Sequence, residues 1–179
     1  MRRNYKARHS LPREQIARIV RDLRQKFGVR FTPGFNLIDF VEVHAHRIWG
    51  FSVEYFDDDG EFPAYVSIKA RKLYISNEIA FRAKLNEEEA RFIIAHEIGH
   101  MHLHSDDLHF FSGQSNSAFR WASEEAQTEW QADTFAEILL APDSVVVQYS
   151  SIEELSISCV LYQPAMIRTD EPSLAARWP

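Results

Sequence analysis

The chain has 179 residues, of which 45% are apolar and 26% charged, and a formal net charge of −6. That length suits one domain with a sizeable core, and residues 1–179 are read as a single domain. The acidic balance argues against a general nucleic-acid-binding surface, which needs clustered Lys and Arg, and the lone Cys159 excludes both an intramolecular disulfide and a cysteine-based zinc ribbon.

Arg2, Arg3, Lys6 and Arg8 make a basic arm, read as a solvated terminus, but no apolar stretch follows that could serve as a signal-peptide core. No run of eighteen apolar residues occurs either, so a cytoplasmic setting without membrane attachment is expected. From Pro12 to Phe27 the residues Ile16, Ile19, Val20, Leu23 and Phe27 recur at three- and four-residue steps, which predicts an amphipathic helix closed by Gly28. Asn36 is placed to cap a second helix through Leu37, Phe40, Val41, His44 and Ile48, ending at Gly50. His44 and His46 fall on different faces of it and are read as packing or surface residues.

A β region follows. Phe51 to Phe56 alternates, Asp57-Asp58-Asp59-Gly60 is a turn sequence, and Phe62 to Lys69 alternates again, with a short third strand over Leu73 to Ser76. The Asp-Gly step predicts a hairpin between the first two strands, and the aspartates lack the spacing of a calcium loop. The resulting sheet is expected to be small and largely antiparallel, with an edge open to an extended peptide.

The centre of the chain is Ile94-Ala95-His96-Glu97-Ile98-Gly99-His100-Met101-His102-Leu103-His104, a His-Glu-x-x-His signature in an apolar run that reads as a buried helix. Asn86 is expected to cap it, with Glu89 as the reciprocal partner. Four residues apart, His96 and His100 project from one face and can reach one metal ion, while Glu97 lies close enough to touch a water there. Imidazole with a carboxylate oxygen suits zinc in a tetrahedral site that keeps one position open.

Ser105 to Arg120, with Phe110-Phe111 and Gly113, has no clear period and reads as a flap near the mouth of a site. A further helix is predicted from about Ser123 to Ala141, with Pro142 beyond its end. On it Glu129, Ala132, Asp133 and Ala136 share a face whose alanines permit close approach of another helix. Two carboxylates on a face fit for burial need a partner, and a metal with its histidines would be one. The tail, 143–179, reads as short helical segments near 152–157 and 165–168 packed on the core, and a loose end near Trp178.

These residues resemble the ImmA/IrrE family of zinc metallopeptidases. The resemblance is carried by Arg91 to His100 with the trailing Leu103-His104, and by Glu129-Trp130-Gln131-Ala132-Asp133-Thr134-Phe135-Ala136 followed by Leu139 to Pro142. The family usually shows Asn at the place of Asp133 and Met at that of Ala141. The resemblance covers roughly residues 73–142. It implies an α+β, zincin-like domain in which a small sheet packs with the signature helix and a second ligand-bearing helix. It also implies Glu129 as third metal ligand, and for many members cleavage of a helix-turn-helix repressor.

The residues themselves offer two third ligands. Asp106 follows His100 by six positions, but that arrangement needs a glycine turn where Leu103 stands. Glu129 is therefore expected, with Asp133 one turn on to accept the second N–H of a ligand histidine. Glu97 is the expected general base. His104, continuing the face of His96 and His100, is the first candidate to stabilise an oxyanion, with His109 and Tyr74 as alternatives. The function expected is that of a zinc-dependent endopeptidase acting on a protein such as a helix-turn-helix repressor. The alternatives are a metal-stabilised regulator that binds a repressor or antitoxin-like partner without cutting it, and a toxin-like protein held off by an antitoxin.

Overall fold

A computed structural model describes residues 7–30, 32, 34–57, 63–105 and 127–149. Helix α1 spans Arg13–Lys26 and buries Ile16, Val20 and Leu23. It closes where Gly28 turns to a φ of 71° and the amides of Gly28 and Val29 bond back to the carbonyls of Gln25 and Arg24. This is the paired closure that a left-handed residue permits. The α2 helix, Leu37–His44, is capped by Asn36, whose Oδ1 accepts from the amides of Ile38 and Asp39 at 3.0 and 3.2 Å.

The second helix does not continue as α-helix to Ile48. Residues Ala45–Trp49 widen into a π turn ending at Gly50, whose φ is 69°. There the Trp49 indole N–H donates to His102 Nδ1 at 2.7 Å. A buried indole needs such an acceptor, and it lies 53 residues away. His44 packs its ring on Phe27 and Phe40, with centroids 4.3 and 5.1 Å away, while His46 is exposed.

Strands β1 (Ser52–Phe56), β2 (Ala64–Ser67) and β3 (Lys72–Ser76) form a sheet of order β1-β3-β2. The expected hairpin is not formed. β2 pairs antiparallel with β3, but β1 joins β3 in parallel from Ser52 opposite Lys72 to Phe56 opposite Ser76. Burial accounts for the order: Leu73 and Ile75 of β3 are fully buried, so this strand takes the middle, where both backbone edges are paired. The turn chemistry at Asp57 is local and carries no information about this insertion.

Helix α3 (Asn77–Lys84) has no counterpart in the sequence reading, although Ser76 caps it by accepting from the Ile79 amide at 3.2 Å. Helix α4 (Glu88–His104) follows at once, and Asn86 is not its cap. Asn86 instead adopts a φ of 61° and ends α3, with the amides of Asn86 and Glu87 bonded to Ala83 and Arg82. Its Oδ1 accepts from the buried Arg91 guanidinium at 3.0 Å, and Glu87 and Glu89 pair with Arg82.

Helices α5 (Thr128–Leu140) and α6 (Asp143–Val146) complete the described chain. Helix α5 packs on both α4 and α1. Ile94, Ala95, Ile98 and Met101 of α4 meet a core shared with Phe135, Ala136 and Leu139, all fully buried. Each large side chain so buried contributes about 1.5–3 kcal/mol. Arg24 of α1 donates to the Leu139 carbonyl at 2.6 Å, placing a cation at the C-terminal end of α5, and Arg13 pairs with Glu137 at 3.0 Å. Helices segregated to one small mixed sheet make the fold α+β.

Candidate metal centre

The site lies between α4 and α5, where the closeness of the helices is set by Gly99. A Cβ there would stand 3.0 Å from Ala132 Cα and 3.3 Å from Phe135 Cβ. The alanine face expected to allow close approach does so, and it brings the side chains of Glu129 and Asp133 over those of His96 and His100.

His96 Nε2 and His100 Nε2 are 3.0 Å apart, Glu129 Oε2 is 3.5 Å from the first, and Glu129 Oε1 is 3.4 Å from the second. Ligands about 2.0–2.1 Å from a tetrahedral ion stand about 3.3 Å from one another, so this spacing fits a zinc-sized cation. The chemistry of the donors fits as well: two imidazole lone pairs and a carboxylate facing one point repel unless a proton or a metal lies among them. Among the described residues, His96, His100 and Glu129 are the group that can hold a metal ion.

Around it, Asp133 Oδ1 sits 2.8 Å from His96 Nδ1, the position from which a carboxylate holds a ligand histidine in the tautomer with Nε2 bare. Burial pushes the His96 imidazole down, but Asp133 and Glu129 outweigh it and lift its pKa to about 9. For Glu129, burial pushes up, and the His100 and His96 rings beside it hold the carboxyl far below its usual range. A metal entering the site at neutral pH therefore exchanges with a proton on His96.

Glu97 is partly buried beside these groups, and burial raises its pKa despite the charges of His100 and His96. Its carboxylate accepts a hydrogen bond from the backbone N–H of Val66 on β2. The ladder explains the direction: Ser76 donates to the Pro63 carbonyl, so the bonded pairs run 63/76, 65/74 and 67/72, and the amide of Val66 faces the open edge of the sheet. Glu97 thus stands where the metal site meets the strand edge. A backbone donor leaves no mark in the sequence, and this contact could not have been read there.

His104 is not where an oxyanion helper would stand. Its Nδ1 is 3.0 Å from His100 Nδ1 and its Nε2 is 2.9 Å from Gln131 Oε1, so both ring nitrogens face partners on the far side of His100 from Glu129. One helical turn beyond His100, the ring stacks behind that residue instead of reaching past it. Burial drives His104 down to about 3, and the His100 charge adds to this. Tyr74 projects from the sheet face opposite to that of Leu73 and Ile75 and stacks on Tyr65 at 4.7 Å, away from α4. Asp106, His109, the segment read as a flap beyond Ser105, and the tail with Cys159 lie outside the described residues. Gln131, buried and bonded to His104, was not singled out in the sequence; a glutamine flanked by Trp130 and Ala132, on the helix that carries Glu129 and Asp133, was the available signal.

An α+β fold with a His-Glu-x-x-His helix and a glutamate on a facing helix defines a metallopeptidase-type protein. Residues 51–151 match the family described as the IrrE N-terminal-like domain, Peptidase_M78, and the chain belongs to that family. A relative, "Uncharacterized immunity region protein 2" of Bacillus phage phi105, is 36% identical over 78 residues, which are 42% of this chain and 44% of the phage protein. The chain thus spans under half the length of that relative. No helix among the described residues is long and apolar enough to cross a membrane.

Proposed function

We propose that the protein is a zinc-dependent endopeptidase acting on a protein substrate, a helix-turn-helix repressor being the substrate class that fits best. The observation that carries this reading is the position of Glu97, a basic carboxylate beside a three-donor metal site and bonded to the amide of an open strand edge. Zinc held by His96, His100 and Glu129 would supply Lewis acidity, lowering the pKa of a water towards about 7 and polarising a carbonyl. Glu97 takes the proton of the attacking water, and its raised pKa brings it nearer the operating pH of a general base. The same carboxyl then delivers that proton to the amine as the peptide C–N bond breaks. An extended substrate lies along β2, whose outward backbone groups pair with it as a further strand.

The repressor as substrate is supported by the resemblance of the motifs and by the name of the phage relative, an immunity region protein. The setting is cytoplasmic, and the surface carries no charge balance suited to direct nucleic-acid binding. The test is to incubate zinc-loaded protein with the products of the neighbouring genes, any helix-turn-helix protein among them first, and to look for fragments by mass spectrometry, with Glu97→Gln as control. Fragments from wild type alone are the expected result. A complex that neither form cuts would favour the non-cleaving regulator instead.

A further inference from the structure

We infer that His104 and Gln131 are positioning residues for the metal centre, a neutral relay that decides which nitrogen of His100 carries its proton. The inference rests on the reading of His96, His100 and Glu129 as metal ligands. The relay begins at a group that cannot change its role. The backbone carbonyl of His9 only accepts, so the end of the Gln131 amide that lies 2.8 Å from it is the NH2 end. Gln131 Oε1 then faces His104 Nε2 at 2.9 Å as an acceptor, and His104 carries its proton on Nε2.

His104 Nδ1 is left as a lone pair 3.0 Å from His100 Nδ1, and two ring nitrogens at that distance need one proton between them. That proton sits on His100 Nδ1. His100 Nε2 is thereby bare where it meets His96 Nε2 and Glu129 Oε1, which is the form a metal requires. His104 is 1% exposed and Gln131 fully buried, so water does not substitute for either partner.

The two ligand histidines are thus oriented by different means. Behind His96 stands the carboxylate of Asp133 at 2.8 Å. Behind His100 stands a chain without charge, which fixes the ring and adds no fourth carboxylate to a site that already holds Glu97, Glu129 and Asp133. The relay starts from His9, four residues before α1, so the segment leading into the first helix takes part in orienting His100 on α4.

The experiment combines nitrogen NMR of the histidine rings with zinc competition against a chelator. In the wild type, with and without zinc, His104 should show a protonated Nε2 and a bare Nδ1; the opposite tautomer overturns the relay without any variant being made. His104→Leu and Gln131→Leu should each lose about 10- to 100-fold in zinc affinity, and metal-free His100 should then populate both tautomers. His104→Asn, whose Oδ1 can accept from His100 Nδ1, should recover most of the loss. Folded leucine variants with wild-type zinc affinity and an unchanged His100 tautomer would overturn the inference. Failure of the wild type to bind zinc would overturn the metal reading instead, and the His104 tautomer would still decide the relay.

Discussion

Gly99 of α4 lies against Ala132 of α5 so closely that any side chain at 99 would meet Ala132 Cα at 3.0 Å and its carbonyl oxygen at 3.1 Å. Ala132 lies between Glu129 and Asp133, so the distance between these two backbones also sets the distance from both carboxylates to the histidines. Gly99→Ala gains about 1 kcal/mol of helix propensity and loses about 1–3 kcal/mol to overpacking against backbone that cannot yield. Thermal melts should therefore show a small loss, whereas zinc affinity should fall about tenfold or more as the ligands part. Gly99→Val should do both more severely. Unchanged zinc affinity in Gly99→Ala would show that the helix separation is not what sets the site.

Glu97→Gln should keep zinc and fold while abolishing proteolysis. The amide oxygen still accepts from Val66, but the side chain no longer takes a proton from water. Metal analysis and a cleavage assay on the same preparation measure both. Cleavage at the wild-type rate would remove Glu97 from the proposed mechanism.

Glu129 and Asp133 should separate in degree. Glu129→Gln replaces one of three donors and should lower zinc affinity far more than Asp133→Ala, which removes the partner of His96 Nδ1 and should cost about 10- to 100-fold. Competition against a chelator measures each. A larger loss at Asp133 than at Glu129 would make Asp133 a ligand and contradict the geometry.

His44, packed between Phe27 and Phe40, is held below the ordinary histidine pKa, first by burial and then by the charge of Arg47. A histidine with a lowered folded pKa stays neutral in the fold while the unfolded chain takes up a proton near pH 6.5, so its contribution is complete above that pH and lost as pH falls through it. His44→Phe should melt close to wild type at pH 7.5 and above it at pH 5. An equal difference at both pH values would exclude the titration of His44 as the cause.

Much of the helical part was legible in the sequence because its signals act over a few residues. Asn36 capping α2, Gly28 closing α1 and the four-residue spacing of His96 and His100 each depend on backbone groups within about one turn. The pairing of Glu129 with that helix was legible as well, since two carboxylates among alanines need a buried partner.

What tertiary structure decided concerns groups that meet across long stretches of chain. The turn residues at Asp57 signalled a hairpin, but the fully buried Leu73 and Ile75 drew β3 between β1 and β2. Asn86 has the chemistry of a cap at either end of a helix, and the demand of α3 for a left-handed residue, together with the buried Arg91, settled which. By itself the spacing of His104 determined only that it shares a face with His96 and His100. Whether it looks towards Glu129 or away from it depended on Gln131, 27 residues on, and on the carbonyl of His9, 122 residues before that glutamine. Periodicity places a side chain on a face, whereas the partner of each ring nitrogen is set by what the rest of the chain packs against that face.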